Sequence, residues 1–180
     1  GERAPMCGIP FHSAEGYITK LLAKGYRVTI CDQVEDPKTV KGLVKREVVR
    51  VITPGTVLEG SMLDESRNNY ICSVCRGEEG VGLCFADVST GELHAEQLEP
   101  MEDVRELIRE LENRISRFSP KELLTDEGIG ELSELGAFFR DKLQAAVQRL
   151  DKEEYNLSRA GETVSKQFGG RSLEDLGLSG

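Results

Sequence analysis

The side chains in this sequence that could do chemistry are few and scattered. Cys72-Ser-Val-Cys75 has the spacing of half a zinc knuckle, His12 and His94 are the only histidines, and Asp87 and Asp126 each end an apolar run. A structural zinc site needs four converging ligands, and in a strand positions i and i+3 face opposite sides, so these thiols read as core cysteines. Neither histidine has an obvious Cys or Ser partner at local spacing, which leaves nucleophilic catalysis without support. Two carboxylates at strand ends could begin a two-metal nuclease site, but that chemistry needs further acids converging beside them. Asp87 also leads into Ser89-Thr90-Gly91, which reads as a hairpin turn. The sequence has no G-x-x-x-x-G-K-[ST] or G-x-G-x-x-G, so it carries no phosphate cradle of a known type.

Charge supplies a second pattern. Residues 1–56 hold nine basic and six acidic side chains, and the remainder holds 14 basic against 26 acidic, so a net +3 head precedes a net −12 tail. A nucleic-acid surface must neutralise phosphates, which places any such contact in the first third, where Lys38, Lys41, Lys45, Arg46 and Arg50 cluster. A solvated face on a helix and strand is the alternative reading of that cluster.

The elements that must position these residues follow from periodicity. In the first part, Pro5 to Phe11 suits a strand ending in a turn. Ser13 can cap a helix with Ala14, Ile18, Leu21 and Leu22 on one face, and Gly25 supplies its left-handed stop. Tyr26 to Cys31 and Glu47 to Ile52 read as strands, with a short helical turn at Asp36-Pro37 between them. Thr53-Pro54-Gly55-Thr56 is a turn signal, and a linker is expected over 54–68. Residues 1–53 have a thin core and need further packing to be stable.

From Asn69 onward, three strand-like runs (69–76, 81–88 and 91–98) form an antiparallel meander. Met101, Val104, Ile108, Leu111 and Ile115 then recur at helical spacing behind Pro100. A strand follows at Glu122 to Thr125, and a second helix is marked by Ile129, Leu132, Leu135 and Phe139. After a strand at Leu143 to Val147, a last helix is expected behind an Asp151/Glu154 capping box, burying Leu157, Val164 and Phe168 and stopping at Gly169-Gly170. The order β-β-β-α-β-α-β-α is that of a ribonuclease H-like sheet.

With 180 residues, 38% hydrophobic and 19 glycines, the chain has the composition of one ordinary or two small folded domains. No apolar run approaches a membrane span and no signal peptide is visible, so a cytoplasmic location is expected. Five cysteines among apolar neighbours read as buried free thiols in a reducing compartment. The opening on Gly, with a motif-like segment at once, suggests a piece of something longer.

Several strings together resemble the bacterial MutS family of DNA mismatch-recognition proteins. They are Pro5-Met-Cys-Gly-Ile-Pro-Phe-His12, Tyr26-Arg-Val-Thr-Ile-Cys-Asp-Gln33, Asp36-Pro37, Arg46-Glu-Val-Val-Arg-Val-Ile-Thr-Pro-Gly-Thr56, Ala86-Asp-Val-Ser-Thr-Gly-Glu92 and Gln167-Phe-Gly169. The resemblance implies an α/β chain made of the C-terminal part of a mismatch-binding domain (1–53), a linker (54–68) and a non-catalytic ribonuclease H-like connector domain (69–180). By position it transfers minor-groove contacts near the mismatch to Pro5 and Met6, with Arg3 and His12 beside them. An apolar Met at a pried-open base step suits that role. From the basic cluster, Lys38 and Lys41 are the candidates for phosphate contacts.

The family's Phe-x-Glu wedge is absent, since no Phe here is followed two positions later by Glu. The resemblance further implies that ATP and Mg²⁺ are bound outside this region and that the fragment itself holds no cofactor. The implied partners are mismatched duplex DNA, MutL and other MutS domains, with no membrane; the intact protein would be a homodimer and the fragment a monomer. Two further readings compete: a metal-dependent nuclease using Asp87 and Asp126, and an interaction module presenting the helix that begins near Met101. An acidic unit joined by a linker to a basic one could change its relative placement without refolding either.

Overall fold

The computed structural model describes residues 8–36, 38–39, 42–58, 60–63 and 66–178. Its first layer is small. Helix α1 (Ala14–Leu22) lies against a two-stranded antiparallel ribbon of β1 (Val28–Gln33) and β2 (Arg46–Ile52). The ribbon forms because β-branched residues crowd both strands. Its register pairs Val28 with Ile52 and Gln33 with Arg46, with a bulge between Ile30 and Cys31. Ile18 and Leu22 of α1 meet Val28, Ile30 and Ile52 in a minor core that Val57, Met62 and Leu63 complete. Gly25 takes φ +79° and ends the helical turn, which only glycine does without strain.

The second layer is a five-stranded sheet of β3 (Ile71–Gly77), β4 (Gly80–Asp87), β5 (Glu92–Leu98), β6 (Glu122–Thr125) and β7 (Ala146–Arg149), in the spatial order β5-β4-β3-β6-β7. Strands β3, β4 and β5 are antiparallel, while β6 runs parallel to both β3 and β7. This is the ribonuclease H-like arrangement expected from the element order. Helix α2 (Val104–Phe118) buries Leu107, Ile108, Leu111 and Ile115 against a core that includes Cys72, Val74, Leu83, Phe85 and Leu123. The stripe is strictly helical in period, and burying it is what docks the helix. The outer face of α2 carries exposed Arg105, Glu106 and Arg109, and the only large exposed hydrophobic along the helix is Val104.

Several local expectations are corrected. Gly8 to Pro10 is not strand, and Phe11–Ser13 is a 3-10 turn running into α1; Pro5 to Cys7 lie outside the described residues. Met101 precedes α2, because the Asp103 side chain accepts the Arg105 N–H at 2.8 Å and starts the helix there. The helix expected over 129–139 is broken into α3 (Glu127–Gly130), α4 (Ser133–Ala137) and a π-helical turn at Phe138–Leu143, with Gly130 at the first break.

The last helix, α5 (Leu157–Gln167), is capped by Asn156 rather than Asp151, since the Asn156 side chain accepts from the Arg159 N–H at 3.0 Å. Asp151 instead opens a 3-10 turn at Lys152–Tyr155. Leu157 is 82% exposed and α5 buries no residue, so periodicity located the helix without telling whether its apolar face has a partner. Cys31 is likewise exposed on the ribbon, while Cys72 is buried and Cys75 and Cys84 half-buried.

The chain is packed where the expected linker begins. Ile52, Thr53, Gly55 and Val57 are all buried, and the turn they form is seated on one end of the five-stranded sheet.

Candidate nucleic-acid interface and interdomain joint

Of the basic cluster, Lys38, Lys45 and Arg46 sit at the loop end of the ribbon, and Arg50 lies farther along β2 opposite Ile30. The loop between β1 and β2 is closed by the Val34 N–H donating to the Lys45 carbonyl at 3.1 Å, and by the Lys45 N–H donating to Glu35 Oε2 at 2.9 Å. Lys38 lies exposed in this loop, its N–H donating to Asp36 Oδ1 at 2.9 Å, and Leu43 projects fully into solvent. Lys45 pairs with Glu47 at 2.5 Å, so part of the positive charge counted in the sequence is neutralised locally. His12 is exposed beside Phe11, which is 94% exposed, in the turn that opens α1. Arg3, Pro5, Met6 and Lys41 lie outside the described residues.

The opposite ends of α1 and the ribbon meet the sheet. Between them lies a cleft of about 310 Å³, lined by Thr19, Leu22, Arg67, Lys121, Leu143 and Gln144 among others. At this joint the Gly55 N–H donates to Glu122 Oε2 at 3.0 Å in a buried contact, and Asn69 Nδ2 donates to the Pro54 carbonyl at 3.0 Å. Inside the turn, the Thr53 N–H donates to Thr56 Oγ1 at 3.1 Å. The Asn69 N–H in turn donates to Asp87 Oδ2 at 2.9 Å. Sequence reading missed Gly55, Asn69 and Glu122 as a group. The available signals were a Pro-Gly turn and an acid heading an otherwise apolar strand.

Asp87 is a structural anchor. Its Oδ1 accepts from the Ser89 N–H at 2.9 Å, the Ser89 hydroxyl at 2.6 Å and the Thr90 N–H at 3.4 Å. Burial pushes its carboxyl pKa up, but the bonds from Ser89, Asn69 and Thr90 outweigh that and hold it below the usual aspartate value. Asp126 caps α3 through the Ile129 N–H at 2.7 Å and also accepts the Arg76 N–H.

These two acids mark opposite ends of β3, at Asn69 and Arg76, and seven extended residues separate them by roughly 23 Å. A two-metal site holds its ions about 4 Å apart. The nuclease reading with Asp87 and Asp126 is therefore corrected: β4 runs antiparallel to β3 and β6 parallel to it, so the two strands finish at opposite ends of β3. Among the described residues no three His, Cys, Asp or Glu side chains gather as a ligand set.

The thiols of Cys72 and Cys75 are held protonated by their surroundings. Burial pushes Cys72 well above the ordinary thiol range, and burial with the nearby Asp126 charge pushes Cys75 to about 11. His94 lies 2.7 Å from Glu92 and packs against Phe118, with ring centroids 5.1 Å apart. The His94 bond, then the Tyr70 bond, lowers the Glu92 carboxyl. Asn68 Nδ2 donates to the other oxygen of Glu92 at 2.6 Å, tying the end of the linker to edge strand β5.

Residues 1–61 match the family model of MutS domain I, and residues 69–180 match that of MutS domain II. The chain belongs to the MutS family. Proteins named DNA mismatch repair protein MutS are similar to it along most or nearly all of its length. The one from Lachnoclostridium phytofermentans is 40% identical over 177 residues, covering 98% of this chain and 18% of the relative. That of Caldicellulosiruptor saccharolyticus is 42% identical over 174 residues, covering 97% and 19%. The Acetivibrio thermocellus protein is 45% identical over 141 residues, covering 78% and 15%. The chain thus spans about a fifth of the length of the curated relatives it matches. In MutS terms, α1 and the ribbon fall in domain I, the five-stranded sheet in domain II, and the joint at Gly55 and Glu122 between them. No described helix is long and apolar enough to cross a membrane.

Proposed function

We propose that this chain is the part of a MutS-type mismatch-recognition protein that carries the end of the DNA-binding unit and the connector beside it, without catalytic activity of its own. The observation that carries the reading is the match of domains I and II, in order, to residues 1–61 and 69–180. We place the mismatch-binding part at 1–53, the linker at 54–68 and the connector at 69–180.

Arg3, Pro5, Met6 and His12 contact the minor groove near the mispair, and Lys38 and Lys41 contact phosphates. Exposed Phe11 beside His12 and exposed Lys38 at the ribbon tip support a DNA-facing side remote from the connector. In the intact protein, a cytoplasmic homodimer, the connector relays the nucleotide state between the ATPase and the DNA site and offers a surface to MutL. ATP and Mg²⁺ bind in parts outside this chain.

The isolated chain is expected to bind duplex DNA weakly at low salt, with no preference for a G·T mismatch over homoduplex. A fluorescence-anisotropy titration checks this, and strong mismatch discrimination by the chain alone would overturn it. Cross-linking of MutL to the intact protein is expected to reach residues 69–180; consistent avoidance of them removes the docking role.

A further inference from the structure

We propose that Glu122 and Gly55 form an interdomain latch that makes the DNA-side ribbon and the connector sheet turn as one body. The proposal rests on the reading of the ribbon as the DNA side and names the element through which the relay would act.

The turn at Thr53 to Thr56 is the only covalent exit from β2 toward the sheet, and it is held on two sides. The buried Glu122 carboxylate, at the first residue of β6, accepts the Gly55 N–H at 3.0 Å, while Asn69 clasps the Pro54 carbonyl at 3.0 Å. Asn69 is itself fixed by Asp87 at the end of β4. The turn is therefore tied to β3, β4 and β6 at once.

Contact is as close as the backbone allows. A Cβ placed on Gly55 would stand 2.9 Å from Ile71 Cβ and 3.0 Å from Glu122 Cβ, atoms fixed by two paired strands. Glycine is needed here for approach, not for an unusual φ. Glu122 is 3% exposed, and a buried polar side chain is costly unless it is hydrogen-bonded; the Gly55 N–H supplies that bond from the other unit.

The seven residues of β2 extend about 23 Å from this joint toward the loop that bears Lys38. Rotating the connector by about 5° would then carry that loop ~2 Å, provided the joint is rigid. A flexible linker would absorb such a motion.

The test is the set of backbone N–H residual dipolar couplings of the 180-residue chain, with amide hydrogen exchange at Gly55. In the wild type, one alignment tensor is expected to fit the amides of α1, β1 and β2 together with those of β3 to β7. Glu122→Ala should split the two sets into separate tensors and speed Gly55 exchange about ten- to hundred-fold, as loss of a charge-assisted bond implies. Glu122→Gln retains an acceptor oxygen and should restore the single tensor.

Gly55→Ala, which loosens the same contact from the turn side, should split the tensors as Glu122→Ala does and decides the matter if Glu122→Ala does not fold. Two tensors in the wild type, or a single tensor in both Glu122→Ala and Gly55→Ala, would overturn the latch. No DNA enters the measurement, so a failure of the DNA-binding reading in the titration leaves this result standing, and the reverse also holds.

Discussion

Replacing Asp87 tests whether this acid is an anchor or a metal ligand. Four donors converge on its carboxylate: the Asn69 N–H on Oδ2, and the Ser89 N–H, Ser89 hydroxyl and Thr90 N–H on Oδ1. A hydrogen bond to a charged group contributes about 1.5–3 kcal/mol, and a buried donor left without a partner costs about 1–3 kcal/mol. The Thr90 bond is long, the Ser89 hydroxyl can turn to water, and burial of the charge offsets part of the gain. Asp87→Ala should therefore destabilise the fold by about 3 kcal/mol, a large share of the ~5–15 kcal/mol of a typical domain.

Asp87→Asn should cost less, about 1–2 kcal/mol. Its carbonyl oxygen can still serve Ser89 and Thr90, while its NH₂ faces the Asn69 N–H, donor against donor. Urea unfolding followed by circular dichroism reads both. With an m-value of about 2 kcal/mol/M, Asp87→Ala should lower the midpoint by roughly 1.5 M.

The pH dependence carries the sign. Because the folded carboxyl pKa lies below its unfolded value, its stabilisation is complete above the unfolded pKa and is lost as pH falls through the folded one. The gap between wild type and Asp87→Asn should accordingly narrow in acid. An Asp87→Ala midpoint within 0.2 M of wild type, a difference of about 0.4 kcal/mol at that m-value, would refute the anchor.

Other substitutions probe separate features. Gln144 holds φ +52°, a left-handed conformation that disfavours side chains, so Gln144→Gly should raise stability by about 1 kcal/mol in the same urea assay. Phe118 stacks on Phe85 with centroids 4.0 Å apart and meets Tyr70 edge-on at 5.2 Å; Phe118→Ala should cost about 2–4 kcal/mol and lower the melting temperature. Incubating the chain with Mg²⁺ or Mn²⁺ and an end-labelled oligonucleotide should leave the strand intact on a denaturing gel, since Asp87 and Asp126 sit at opposite ends of β3; cleavage abolished by Asp87→Asn would contradict that placement.

Much of the domain II architecture was legible before any coordinates. The glycine-bounded hairpins, the helical stripe of Ile108, Leu111 and Ile115, and the short apolar strand at Leu123 each carry their own period, and a three-strand meander followed by parallel crossovers has few solutions. Element ends were less legible. Asp103 and Asn156 cap helices that the apolar pattern alone would begin elsewhere, because a cap is one side-chain bond that periodicity does not register. Of the proposed DNA contacts, His12 and Lys38 fall within the described residues and both are exposed, His12 in a 3-10 turn where a strand end was expected and Lys38 in the loop between β1 and β2. Sequence reading could not have found that Lys45 is paired with Glu47.

Local sequence determined what each segment prefers and which family it belongs to, because propensity, turn chemistry and motif strings act over a few neighbours. Only the tertiary structure decided what those segments do to one another. It set Asp87 and Asp126 at opposite ends of β3, left α5 without a buried face, and seated the Pro54-Gly55 turn on the sheet. The reason is physical: a strand's direction in the sheet and a backbone's approach to a carboxylate 67 residues away are fixed by packing, and no local pattern encodes them.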